Sequence, residues 1–281
     1  MWTLPKPLLD DAIADVASVI AKSDEKLTDA DGVILKLLYK LYDNNNGSIT
    51  SADDKRITKD KRDVLYSLYG KTQQGGALNN IRKELFRNID YCPMCGISAP
   101  SQLDHQMPRE DFRSLSVCRM NLVPTCSICN NKKRKEDPSK FIHPYYAQAL
   151  NNVPFFEIEI HSSPVTHRMS WKFNINKQII PDRNLATRIE SQVSVIKLFR
   201  RLYKETNIML SDILNADILS QEQLDFVLNY EYRKYANNNR YGMNDWHCVF
   251  LKSLIDSPHF TIEEAQVYAG RIKPVNGGVN A

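Results

Sequence analysis

The chain has 281 residues, of which 37 are Lys or Arg and 33 are Asp or Glu. Its formal net charge is therefore +4, which permits a polyanionic partner but does not require one. Hydrophobic residues make up 42% and charged residues 25%, a globular composition that excludes the disordered, collagen-like and disulfide-scaffold classes. No apolar run approaches the roughly 18 residues of a membrane span, and the length predicts one large or two small domains.

Two amphipathic helices are predicted near the start of the chain. Apolar residues recur at helical spacing from about residue 7 to residue 22 and again over 33–42. The second helix ends at the turn-forming run 43–47, Asp-Asn-Asn-Asn-Gly. This run superficially suggests a calcium loop, but Tyr42 would fall at its first ligand position and cannot coordinate calcium, so we reject that interpretation. A further helix over 78–88 leads into the central segment.

The rest of the chain predicts a short sheet between helical parts. Residues 90 to 140 are loop-rich and contain many Cys, Asp, His and Asn residues, whereas 155–160 and 169–175 alternate apolar and polar residues as strands of a hairpin do. Helical spacing returns near 185–204, 221–236, 243–256 and 261–271, and the tail 273–281 is expected to fray. We therefore expect a mostly helical α+β protein in three regions: 1–89 helical, 90–140 the centre, and 141–281 a β-hairpin followed by helices.

Four of the six cysteines form two Cys-x-x-Cys pairs, whereas random placement would give roughly 0.1 such pair. Each pair brings two thiolates onto one tight turn, and four thiolates suit a tetrahedral zinc ion that keeps no open position for water. Because the chain begins without a basic-then-apolar secretory pattern, we expect a cytoplasmic protein with reduced thiols. The predicted ligands of this structural, non-catalytic zinc are Cys92, Cys95, Cys126 and Cys129.

The residues around the cysteine pairs resemble the HNH endonucleases, also called ββα-metal or His-Me finger nucleases. The elements that carry the resemblance are CxxC, LDH, P, NLVP, CxxC and NxxK, which occur in this order between residues 92 and 135. The resemblance implies a hairpin followed by a helix, an active site between them, and a zinc ion that holds the two together. The expected fold is thus a zinc-stapled ββα-metal centre flanked by N- and C-terminal helical regions and a short β-hairpin.

By this resemblance, four polar residues have catalytic roles. His105 is the expected general base, since a neutral imidazole can deprotonate water near pH 7. Asn121 would hold that imidazole in place by hydrogen bonding across the hairpin. Asp104 and Asn130 would supply a carboxylate and an amide oxygen to a catalytic Mg²⁺ or Mn²⁺ ion, which prefers oxygen ligands. Asn131 is the alternative to Asn130, although the family position directly follows the last cysteine.

Basic residues near this centre are candidate contacts to nucleic-acid phosphates, with a solvated helix face or a structural ion pair as the alternative. They are Lys132, Lys133, Arg134 and Arg109, and Lys135 continues the run. Two other patterns are interpreted as packing rather than function. These are His143 in an Ile-His-Pro-Tyr-Tyr run, and the aromatic stripe of Phe226, Tyr230, Tyr232 and Tyr235.

The order of these motifs also resembles HNH nucleases of bacterial anti-phage systems, such as Septu-type subunits that work beside an ATPase. The resemblance implies a metal-dependent endonuclease in antiviral defence, with DNA favoured over RNA as substrate, an ATPase subunit as partner and no membrane association. Two alternatives stay open. One is a non-catalytic zinc-ribbon module that binds nucleic acid or protein, and the other is a regulatory partner of an ATPase with a vestigial nuclease centre.

Overall fold

The structure is a computed structural model that describes residues 3–134, 136–236 and 242–273. It is a mostly helical α+β protein, as the sequence predicts. The helices are α1 (Leu9–Ala21), α2 (Asp29–Asn44), α3 (Ser51–Asp54), α4 (Lys59–Leu68), α5 (Asn79–Leu85), α6 (Ser127–Lys133), α7 (Arg183–Val195), α8 (Leu198–Leu214), α9 (Gln221–Ala236), α10 (Trp246–Ile255) and α11 (Ile262–Tyr268). The strands are β1 (Gln102–His105), β2 (Leu122–Thr125), β3 (Phe156–Ser162) and β4 (Met169–Ile175).

The chain divides into two compact units, one formed by residues 3–148 and the other by the described residues from 149 onwards. The described residues of the first two predicted regions, 1–89 and 90–140, therefore share one unit. Lys135 and most of the predicted frayed tail, residues 274–281, lie outside the described part of the chain.

The core of the first unit is formed by buried side chains of α1, α2, α4, α5 and the two strands β1 and β2. Helix α2 begins four residues before the predicted run, because Thr28 caps it and accepts a hydrogen bond from the backbone N–H of Asp31. Gly32 lies inside this helix, where a Cβ atom would stand 2.6 Å from Cδ1 of Ile20. The side chain of Ile20 on α1 therefore packs directly over the Cα atom of this glycine, where the two helices approach closely.

A small antiparallel hairpin forms the centre of the first unit. Strand β1 pairs with β2 so that Asp104 lies opposite Val123 and His105 opposite Leu122. All four residues of β2 are buried, and α6 follows this strand after a single residue, Cys126. The order of elements in this segment is therefore strand, long loop, strand and helix.

The second unit contains the predicted hairpin of β3 and β4, whose side chains alternate between buried and exposed along β3. The predicted helical run 185–204 is broken into α7 and α8 at Lys197, which has a left-handed φ of +51°. The packing interpretation of the aromatic stripe is wrong for Phe226 and Tyr230, which are 72% and 56% exposed. The buried face of α9 carries Leu224 and Leu228 instead. Among the described helices, none has both the length and the apolar character needed to cross a membrane.

Candidate functional site

The four paired cysteines form one compact, buried cluster. Their sulfur atoms all lie within 4.8 Å of one another, and Sγ of Cys95 is 3.9 Å from Sγ of Cys126. A tetrahedral zinc ion with Zn–S bonds of about 2.3 Å holds its sulfurs about 3.8 Å apart, whereas a disulfide needs about 2.05 Å. None of the four cysteines is in a disulfide, and their sulfurs have the spacing and chemistry to hold a metal ion such as zinc.

Local backbone geometry presents these thiols to one another. The carbonyl of Cys92 accepts hydrogen bonds from the N–H groups of Cys95 and Gly96, and Gly96 has a φ of +65° that only glycine adopts readily. Cys126 precedes α6 as its N-cap residue, and Cys129 lies in the first turn. Hydrogen bonding from neighbouring thiols, Cys129 first among them, lowers the pKa of the Cys126 thiol. A metal bound here would clamp the start of α6 to the loop that precedes β1.

His105, at the end of β1, has a defined ring orientation. Its Nε2 lies 2.9 Å from the backbone carbonyl oxygen of Ser116, and its ring packs on Tyr69 with 4.5 Å between ring centroids. Because a carbonyl only accepts hydrogen bonds, Nε2 must carry the proton, and Nδ1 is then the basic atom. Burial lowers the pKa of His105 to about 3, and the charges of Arg109 and Lys133 act in the same direction. The imidazole is therefore neutral at pH 7.

Asn121 is fully buried and holds the long loop between β1 and β2. Its Oδ1 accepts from the N–H of Met107 at 2.7 Å, and its Nδ2 donates to the carbonyls of Met107 (3.2 Å) and Leu115 (3.3 Å). Leu115 directly precedes Ser116, the residue whose carbonyl fixes His105. Asn121 thus holds the loop backbone beside the carbonyl that contacts the imidazole, whereas the family resemblance implies a hydrogen bond across the hairpin.

A buried network that sequence analysis did not identify supports Asn121. The hydroxyl of Tyr42, on α2, donates to Oδ1 of Asn121 at 3.1 Å and lies 2.9 Å from Nε2 of His143. Since the hydroxyl has one proton, it accepts from His143. Burial raises the pKa of Tyr42 well above its usual value, so this proton is retained. His143 is buried, as predicted, but no local sequence signal pairs it with Tyr42, because 101 positions separate the two residues.

Two pairs of side chains join β1 to α6. Nδ2 of Asn130 donates to Gln102 at 2.7 Å, and the ammonium of Lys133 lies 2.7 Å from Oδ2 of Asp104. Gln102 and Asp104 are two positions apart on the strand, and Asn130 and Lys133 are three apart on the helix, so each pair of residues shares one face of its element. Asp104 and Asn130 therefore lie at neighbouring positions between strand and helix. These contacts are made by Oδ2 of Asp104 and Nδ2 of Asn130.

The predicted basic contacts differ in their surroundings. The guanidinium of Arg109 stacks on Tyr66 at 3.9 Å and Tyr69 at 4.8 Å from the ring centroids, and Tyr69 in turn packs on His105. Arg109 is therefore held beside the imidazole by two aromatic rings. Lys132 is half-buried and Arg134 is exposed, whereas Lys133 is buried against Asp104 rather than on a solvated helix face.

The N-terminal helices support the loop that carries these groups. Asp54 is buried and accepts hydrogen bonds from the backbone N–H of Ser114 at 2.9 Å and from Arg62 at 2.6 Å. The guanidinium of Arg119 donates two hydrogen bonds to the carboxylate of Asp15 on α1, one from Nε at 2.6 Å and one from Nη2 at 2.7 Å. Charged groups with this geometry are strongly orienting, so the N-terminal helices hold the loop at Ser114 and at Arg119, on either side of Ser116.

Comparison with known proteins finds one partial likeness. The protein Ea31 of Escherichia phage lambda is 30% identical to this chain over 95 residues, a match that covers 32% of this chain and 32% of the phage protein. No protein-family model and no solved structure matches the chain. Because the chain spans only about a third of the phage protein, this match does not establish a family.

Proposed function

We propose that this protein is a metal-dependent endonuclease of the HNH type that hydrolyses phosphodiester bonds in nucleic acid, with DNA as the favoured substrate. One observation carries the proposal. Strand β1 carries Asp104 directly before His105, whose neutral imidazole has a fixed proton position, and α6 brings Asn130 against the same strand. A zinc-ribbon module that only binds nucleic acid or protein would have no need to orient an imidazole. It would therefore not require the buried Asn121 to hold the loop that contains the Ser116 carbonyl.

In the proposed reaction, Nδ1 of His105 takes a proton from water while the water oxygen forms a bond to phosphorus. The bond from phosphorus to the leaving 3′ oxygen breaks in the same displacement. A pKa of about 3 makes the free imidazole a weak base, but a bound phosphate places negative charge beside it and raises that pKa. Arg109, held on Tyr66 and Tyr69, would contact the same phosphate.

Asp104 and Asn130 are the residues that would hold the catalytic divalent ion. A carboxylate oxygen and an amide oxygen are hard donors of the type that Mg²⁺ and Mn²⁺ prefer, so the residues fit the ion. When bound, the ion would neutralise charge on the phosphate and on the leaving oxygen. The four-cysteine site would hold zinc as a structural ion, separate from this chemistry.

The decisive experiment compares the wild type with His105→Ala on plasmid DNA in Mg²⁺ or Mn²⁺. We expect cleavage to fall about 100-fold or more, because proton transfer is lost, while the protein stays folded and keeps its zinc. The control is His161→Ala, since His161 is an exposed residue of β3 outside the centre. Cleavage by His105→Ala at the wild-type rate would refute the proposal.

The cellular role is proposed on the sequence resemblance alone. It is an effector role in anti-phage defence, beside an ATPase subunit and in the cytoplasm. Expression of the wild type and His105→Ala in phage-challenged cells tests the defence role, and purification of the wild type from its native cells tests the partner. Equal phage resistance with either chain would contradict a role that depends on cleavage.

A further inference from the structure

Lys133 is a buried cation inside the candidate centre. Its side chain is 7% exposed, and that of its partner Asp104 is 13% exposed. The ammonium donates to Oδ2 of Asp104 at 2.7 Å and to the backbone carbonyl of His105 at 2.8 Å. The ring of Phe141 lies below it, 5.8 Å from Nζ to the centroid. All its strong contacts are therefore made inside the protein.

This arrangement is unlike that of a residue that reaches for phosphate. A buried charge is tolerated only when it is paired, so withdrawing Lys133 into solvent would leave the Asp104 carboxylate poorly compensated. The neighbouring surface pair between Lys140 and Glu136 has the same 2.7 Å separation, but its lysine is 48% exposed and free to move. Lys133 is instead the counter-ion of Asp104 in the absence of a divalent ion.

Two cations then compete for one carboxylate. A divalent ion on Oδ1 of Asp104 would lie within a few ångströms of the ammonium on Oδ2, and charges of like sign at that separation repel strongly in a partly buried site. We propose that Lys133 sets the affinity of the centre for divalent cations, by neutralising Asp104 and opposing any second cation there. This inference rests on the proposed metal site of Asp104 and Asn130.

Binding of Mn²⁺, measured by electron paramagnetic resonance on the zinc-loaded protein without nucleic acid, tests this directly. We expect Lys133→Met to bind Mn²⁺ about tenfold more tightly than the wild type or better, because the opposing charge is gone. Lys133→Gln should tighten binding as well, since its amide can still donate to the carbonyl of His105 and thereby preserve the fold. Lys133→Arg keeps the charge and should keep the wild-type affinity.

The matched control is Lys140→Met, which removes the same charge from an exposed pair and should leave Mn²⁺ affinity unchanged. Asp104→Asn should abolish the binding in every background. If Asp104→Asn abolishes binding but neither neutral variant of Lys133 tightens it, the role of Lys133 is refuted while the proposed metal site stands. If no chain binds Mn²⁺ in an Asp104-dependent way, both proposals fall.

Discussion

Tyr42 connects a helix of the N-terminal region to the centre through one hydroxyl group. It donates to Asn121 and accepts from His143, and Asn121 holds the backbone beside the Ser116 carbonyl. Tyr42, Asn121 and His143 are all buried. Only one assignment of donors and acceptors satisfies their hydrogen bonds, in which His143 donates to Tyr42 and Tyr42 donates to Asn121. We therefore expect Tyr42 to position His105 through Asn121 and the backbone of Leu115 and Ser116.

Substitution of Tyr42 by Phe should slow cleavage without removing zinc. The change removes the hydroxyl that donates to Asn121 and accepts from His143, which costs about 1–3 kcal/mol of unfolding free energy. Because the loop backbone is then less well held, we expect a fall in kcat of about tenfold at unchanged KM. The ¹⁵N shifts of the His105 imidazole should report a weaker preference for the Nε2–H tautomer, which a loss of stability alone would not cause.

Tyr146→Phe is the matched control, because its hydroxyl bonds Asp43 outside this network. It should lower the free energy of unfolding and leave kcat and the His105 shifts unchanged. If Tyr42→Phe cleaves at the wild-type rate with wild-type ¹⁵N shifts, Tyr42 is purely structural.

At the scale of elements, the sequence predicts what is encoded locally. The two cysteine pairs, the β3–β4 alternation and the helical runs all follow from spacings of a few residues. The contacts that position the loop between β1 and β2 instead join residues that are far apart in the sequence. Asp54 meets Ser114 across 60 positions and Arg119 meets Asp15 across 104, and neither pair leaves a local signature. The break between α7 and α8 depends on the left-handed backbone of one residue, Lys197. The spacing of apolar residues carries no information about such a residue.

The zinc site is predicted to hold α6 against the hairpin. The pairs Asn130–Gln102 and Lys133–Asp104 are few, and a helix of seven residues is unstable by itself. Removal of zinc by a strong chelator should therefore expose the backbone amides of α6 and β1. We expect hydrogen-exchange protection there to fall about 100-fold or more, while amides of α2, buried in the core, keep theirs.

Cys95→Ser should reproduce this loss of protection without a chelator. Cys118→Ser provides the control, because Cys118 is also buried but lies outside the four-cysteine cluster, so zinc stoichiometry should stay at the wild-type value. Protection of α6 that survives complete zinc removal would contradict the structural role of the metal.

On the scale of the whole molecule, the second compact unit contains a hydrogen-bond network centred on one glutamate. In the second unit, Glu264 on α11 accepts hydrogen bonds from Ser162 at 2.9 Å, from His167 at 2.8 Å and from the hydroxyl of Thr261 at 2.6 Å. These bonds attach α11 to the end of β3 and to the turn that follows it. Burial would raise the pKa of Glu264, but the hydrogen bonds from Thr261, His167 and Ser162 outweigh it and hold the pKa at about 2, below the usual 4.5.

Because the pKa of Glu264 is depressed on folding, its ionised form stabilises the second unit above pH 4.5, and this contribution disappears as the pH falls towards 2. Glu264→Gln should therefore cost about 2 kcal/mol of unfolding free energy at pH 7 and progressively less between pH 4.5 and pH 2. Urea unfolding followed by tryptophan fluorescence measures this, since Trp171 and Trp246 both lie in the second unit. Glu190→Gln, which removes a surface pair with Lys177, should cost about 0.5 kcal/mol or less at every pH. A difference between Glu264→Gln and the wild type that persists undiminished at pH 2 would show that the carboxylate charge is not what attaches α11 to the hairpin.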